Sequence, residues 1–143
     1  MPFRKRGEGA VRRLKDAPKR YEIGINAAAH MAGQVLVRQV HKGMINETKS
    51  GRIYAHPKGG TYRASAPGQY SASVTHALLR SVDYVVPNSN YLWFGAGAPH
   101  AVFQELGTSK MQPRPNLGNA VRDTSQEVRS ILGQITFKRI VGA

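Results

Sequence analysis

Apolar positions recur with helical spacing from Pro18 to about Asn46. Tyr21, Ile25, Ala28, Ala32, Val35 and Gln39 follow steps of four and three, and Ala29, Leu36, Val40 and Met44 widen the stripe. This predicts one long helix with Pro18 in its first turn, where a missing N–H costs nothing. The centre of the stripe, Ala27-Ala28-Ala29 and Ala32-Gly33, is narrow and lets another backbone come close. Packing against a sheet is the plain expectation there, and a helix–helix subunit contact the sharper one. After Ser50-Gly51 the period shortens to two. Residues 52–55 and 61–64 alternate large and small about Pro57-Lys58-Gly59-Gly60, the pattern of a β-hairpin. Residues 74–81 read as a short helix with Val74, Ala77, Leu78 and Ser81 facing inward. Residues 82–86 and 91–94 form a second hairpin about the turn residues 87–90.

Residues 100–106 make one or two helical turns, with Gly107 as a left-handed stop. An extended loop over 108–115 follows, stiffened by Pro113 and Pro115. Residues 116–134 are a second amphipathic helix with Leu117, Val121, Val128, Ile131 and Leu132 on its apolar side. Residues 135–140 read as a last strand or an ordered tail. The sum is an α+β fold: a long N-terminal helix and a C-terminal helix packed on a small, mainly antiparallel sheet of hairpins.

Charge changes the picture at the N-terminus. The chain of 143 residues, enough for one domain, carries 21 Lys and Arg against 8 Asp and Glu, a net charge of +13. Residues 1–20 hold eight basic side chains and only Glu8 and Asp16. With Gly7, Gly9 and Pro18 among them, residues 1–17 are expected to form a flexible basic arm and residues 18–143 a single α+β domain. Three uses of the arm compete: a solvated tail, contact with nucleic acid or another polyanion, and contact with an acidic protein. The candidate polyanion-contacting residues are Arg4, Lys5, Arg6, Arg12 and Arg13. Phe3 is the arm's only aromatic residue, which argues against base stacking.

Motifs that carry chemistry are missing. There is no GxxxxGK[ST], GxSxG, HExxH or EF-hand loop. Gly95-Ala96-Gly97 starts like a dinucleotide loop, but His100 stands where the third glycine belongs. The absence of cysteine excludes disulfides and thiol chemistry and fits a cytoplasmic origin. His30 and His41 share a helix face but lie about 16 Å apart along the axis, too far for one metal ion. No apolar run approaches a membrane span, and no signal-peptide core follows the basic start. The expectation is a protein without catalytic, cofactor or metal residues.

Two stretches carry a resemblance. One is Ser50-Gly51-Arg52-Ile53-Tyr54, then Tyr62-Arg63-Ala64-Ser65-Ala66-Pro67-Gly68, then Thr75-His76-Ala77-Leu78-Leu79-Arg80-Ser81. The other is His100-Ala101-Val102-Phe103-Gln104-Glu105-Leu106-Gly107-Thr108, then Lys110-Met111 and Arg114-Pro115. Together they resemble the small head–tail joining, or tail-completion, proteins of long-tailed double-stranded-DNA bacteriophages. The resemblance spans residues 50–121. His76 stands where that family has glycine, Leu106 where it has an aromatic, Asn116 where it has phenylalanine, and Gln69-Tyr70-Ser71 lacks its prolines. It implies a non-enzymatic virion protein of the neck, assembled in the host cytoplasm. Its partners would be other neck and tail proteins and copies of itself in a ring, a hexamer being favoured, around the DNA channel. Ser65, Pro67, Gly68, Glu105, Gly107, Thr108, Arg114 and Pro115 would be structural signature residues. Arg114 is a candidate partner for Glu105. A free, sequence-independent nucleic-acid-binding protein is the alternative.

Overall fold

Small side chains decide how the main helix packs. Ala28, Ala32 and Val40 are fully buried, and Ala29, Val35, Leu36 and Met44 nearly so, along one stripe of helix α1, Glu8–Asn46. The structure, a computed structural model, describes residues 8–141. Elements β1 (Ile53–Ala55), β2 (Thr61–Arg63), α2 (Ala77–Ser81), β3 (Val82–Asn88), β4 (Tyr91–Ala96), α3 (Ala101–Leu106) and α4 (Asn116–Val141) follow. The architecture is α+β, with two long helices and two antiparallel hairpins.

Helix α1 starts ten residues before the expected point and carries Pro18 inside it. Proline removes one intrahelical hydrogen bond, but the flanking residues (Ala10, Arg12, Arg13, Leu14, Lys15, Ala17) are strong helix formers that propagate through it. Residues 8–17, expected in the arm, are therefore helical. Arg12 is exposed and lies 4.0 Å from Asp16; Arg4, Lys5, Arg6 and the Arg13 side chain lie outside the described residues.

The main partner of α1 is α4 rather than a sheet. Val40 and Met44 share a core cluster with Ala120, flanked by Leu117, and Arg38 pairs with Glu127 at 3.0 Å, so the two helices run antiparallel. Of the five residues expected on the apolar side of α4, Leu117, Val128 and Ile131 are half-buried and line up at helical spacing with Ala120 and Thr124. Asn116, Asn119, Ala120 and Thr124 are buried, whereas Val121 is 51% exposed and Leu132 39%. At the glycines of α1 the neighbours are aromatic rings, Tyr84 at Gly33 and Tyr70 at Gly43, rather than another backbone. Residues 135–140, expected as a last strand or an ordered tail, instead continue α4. Gly133 alone does not end it, because a formed helix gains a hydrogen bond with each added residue.

The hairpins form two separate two-stranded sheets. In β3–β4, Tyr84 faces Phe94 and Val85 faces Trp93. Tyr84 and Phe94 are half-buried while Val85 and Trp93 are exposed, as the alternation of a strand requires. The Tyr84 ring lies where a Cβ on Gly33 would stand, so this sheet rests on α1. The register shifts between Val85 and Asn88, across Pro87, which cannot donate to the ladder. In β1–β2, Ile53 faces Arg63, Tyr54 faces Tyr62 and Ala55 faces Thr61. Helix α2 is shorter than expected; of its four candidate inward residues only Leu78 is buried.

Candidate assembly site

The residues singled out by the resemblance converge. Ala66–Gln69 is a turn closed by the Gln69 N–H donating to the Ala66 carbonyl at 3.2 Å. Pro67 and Gly68 occupy its centre, and the φ of +80° at Gly68 gives the type II signature. The Gln69 side-chain oxygen accepts from the N–H groups of Ala66 and Ser50 and fixes the turn from inside. Across from it lies the chain from α3 to α4. Gly68 N–H donates to the Pro113 carbonyl at 2.9 Å, Arg114 Nε to the Ser65 carbonyl at 3.1 Å, and Asn119 Nδ2 to the Gly68 carbonyl at 2.8 Å. The two motifs thus form one clasp, with Ser65 only 4% exposed.

Glu105 and Arg114 do not meet as expected. The Glu105 carboxylate accepts from the backbone N–H groups of Leu117 and Gly118 at 3.0 and 2.7 Å, capping α4. The first turn of a helix has unpaired N–H groups and a partial positive charge, and a carboxylate answers both. Arg114 serves the backbone instead: its N–H donates to Gln104 and its side chain to Ser65 and, at 3.4 Å, to Gln112. Pro115 precedes the first residue of α4 and accepts from Asn119 N–H at 3.0 Å.

Gly107 ends α3 with φ 76° and ψ −177°. The positive φ agrees with expectation, but the ψ is extended rather than left-handed helical. A Cβ there would also lie 2.7 Å from the Met111 carbonyl. Thr108 closes the next turn: its N–H donates to the Met111 carbonyl, and its hydroxyl accepts from the N–H groups of Lys110 and Met111.

Beneath the clasp lies a buried polar layer that the sequence reading did not single out. Ser71 N–H donates to Asn116 Oδ1 at 2.7 Å, Asn116 Nδ2 to the Ser71 hydroxyl at 3.0 Å, and that hydroxyl to Gln104 at 3.1 Å. Asn116 and Ser71 are two of the departures from the family pattern, and they bond each other. A proline at 71 would have no N–H to give and a phenylalanine at 116 no oxygen to receive it. Tyr70, 2% exposed with its ring against Gly43, donates its hydroxyl to Asp123 at 2.8 Å and accepts from Gln39 at 3.5 Å. Burial raises its pKa well above the ordinary tyrosine value, and the Asp123 carboxylate adds to the rise. Lys49 reaches the Gly43 carbonyl at the end of α1, and burial lowers its pKa.

His76 explains another departure. It precedes α2 with φ 59° and ψ 6°, the left-handed region, and is the only non-glycine residue with positive φ among the described residues. Glycine is the residue that such a backbone favours. Its ring is held by the Ser73 hydroxyl at 2.8 Å. His41 donates to the Leu79 carbonyl at 3.0 Å, and His30 hydrogen-bonds the Tyr84 hydroxyl at 3.4 Å. Among the described residues no three His, Cys, Asp or Glu side chains come together as a metal site would need.

Beside the clasp is an apolar groove of about 370 Å³ whose lining includes Leu78, Val82, Ala96, Ala101, Leu106 and Leu117. Its rim helix α3 leaves Val102, Phe103 and Leu106 exposed, the last at 74%. No helix among the described residues is long and apolar enough to cross a membrane. Compared with known proteins, the chain matches no family model, no curated protein and no solved structure.

Proposed function

We propose that the chain is a structural protein of the bacteriophage neck, joining the head to the tail or completing the tail as one subunit of a ring around the DNA channel. One observation carries this reading: the two stretches that bear the resemblance, far apart in sequence, are bonded into a single clasp. A chance likeness of two segments gives no reason for them to meet. The left-handed backbone at His76, where the resemblance calls for glycine, supports it independently.

The surfaces suit assembly. The apolar groove and the exposed Val85–Trp93 pair of β3–β4 are different patches on one subunit, as a head-to-tail ring contact needs. The net charge of +13 suits a wall around phosphates, which attract it whatever the base sequence. The proposal assigns no catalytic role and no cofactor. Its partners are neighbouring neck and tail proteins and further copies, six in the favoured arrangement.

Mass spectrometry of purified virions, with a cryo-electron-microscopy map of their necks, tests the reading. The expected result is a closed ring of this chain between portal and tail tube. Absence from purified particles, or an isolated dimer as the working form, overturns it. The charge alone favours a second reading, a free sequence-independent nucleic-acid-binding protein, which predicts tight DNA binding with no place in the particle.

A further inference from the structure

We propose that the β1–β2 ribbon is a nucleic-acid-binding finger whose basic and aromatic face engages the phosphate backbone of duplex DNA. This does not depend on the neck reading, and it concerns a different surface from the basic N-terminal residues. The ribbon follows the C-terminal end of α1, whereas Arg12 and Arg13 belong to the N-terminal turns of this helix, which is about 58 Å long.

The ribbon lacks a covering on either side. Ile53 is 57% exposed on one face and Tyr54 49% on the other, and neither strand joins the β3–β4 sheet. A two-stranded ribbon that packs on nothing is marginal in water. Here the ladder, the Tyr54–Tyr62 pair at 6.0 Å and the bond from the Arg63 side chain to the Gly51 carbonyl hold it. An element kept in shape with its side chains facing water is built to meet something else.

Its chemistry says what. Between Glu47 and Asp83 there is no carboxylate, while Lys49, Arg52, Lys58, Arg63 and Arg80 all fall in that interval. The alternation of strand residues puts Arg52, Tyr54, His56 and Tyr62 on one face, consistent with the ring contacts of Tyr62 to Tyr54 and to His56. Lys58 stands in the turn at the tip, where its N–H is held by His56 Nδ1 at 3.0 Å. Cations attract phosphate, and tyrosine hydroxyls donate to its oxygens. A two-stranded ribbon is also narrow enough to enter the major groove of duplex DNA. The same face runs into a groove of about 220 Å³ walled by Tyr62, Ser65, Gln104 and Arg114, so the ribbon joins the clasp at its base.

The test uses the full chain and a labelled mixed-sequence DNA duplex, with binding followed by anisotropy from about 50 to 200 mM salt. The double variant Arg52→Ser, Lys58→Ser is compared with wild type and with a variant in which Arg4, Lys5, Arg6, Arg12 and Arg13 are all serine. If each of the two ribbon cations neutralises one phosphate, the double variant has a log–log salt slope shallower by about 1.8. Wild type then loses roughly twelvefold more affinity than the variant across that range. Its melting temperature stays at the wild-type value, because neither side chain packs in the core. Lys58→Glu is expected to weaken binding further than Lys58→Ser. A wild-type slope in the double variant, with the loss confined to the N-terminal variant, overturns the proposal. So does loss of binding to an acidic polypeptide with DNA binding unchanged. The neck reading is judged separately by the virion experiment, so failure of one leaves the other standing.

Discussion

A side chain at φ 59° carries strain that glycine does not, and His76 bears it with only the Ser73 hydroxyl in return. His76→Gly is therefore expected to stabilise the fold by about 1 kcal/mol, read as a higher denaturant midpoint; a lower midpoint would show that the histidine ring matters more than its backbone. At Gly107 the sign reverses. Gly107→Ala meets both a positive φ and the Met111 carbonyl, and should destabilise by about 2 kcal/mol or more in the same measurement. Tyr70 gives a pH test. Its pKa is raised on folding, so its contribution is complete below the unfolded value of about 10 and is lost as the pH climbs above it. Tyr70→Phe should cost about 1 kcal/mol near neutrality and lose less stability than wild type between about pH 10 and 12. Equal alkaline losses in the two proteins would contradict the assignment. Gly107 was legible in the sequence because a helix stop after an apolar run marks itself. Tyr70 was not: its hydroxyl partner, Asp123, is 53 positions away.

For whole elements, legibility followed the strength of the local signal. The stripe from Ala28 to Met44 repeats for several turns, and the helix it predicted is there. Both hairpins were announced by their turns. The start of α1 was missed because Pro18 is as good an opening signal as it is a tolerable interruption. On α4 the expected Leu117, Val128 and Ile131 turn inward, but the edge of the stripe differs from the expectation. Ala120 is fully buried and Val121 half-exposed, although valine is the more apolar. Ala120→Leu should then overpack the helix pair and cost about 1–3 kcal/mol, while Val121→Ala stays within about 0.5 kcal/mol. Thermal melts of the two variants distinguish this packing from the one periodicity suggested, which predicts the larger loss at Val121.

Over the whole molecule, charge and apolar surface were readable as amounts but not as places. Composition gave +13, yet only the fold sets a basic ribbon at one end of α1 and Arg12 and Arg13 near the other. The clasp has a consequence in time as well as in space. Its bond from Asn119 to Gly68 joins positions 51 apart, and between them the chain must complete β3, β4 and α3. Closing so long a loop costs entropy before any contact repays it, so local helices and hairpins form ahead of it and the clasp shuts late. Interactions absent from the folding transition state act on unfolding alone. Asn119→Ala should accordingly speed unfolding about tenfold in stopped-flow mixing and leave refolding almost unchanged. A molecule in which these two segments lie together is then one whose intervening chain has already folded, and closure of the clasp is that stretch's own record that it is finished.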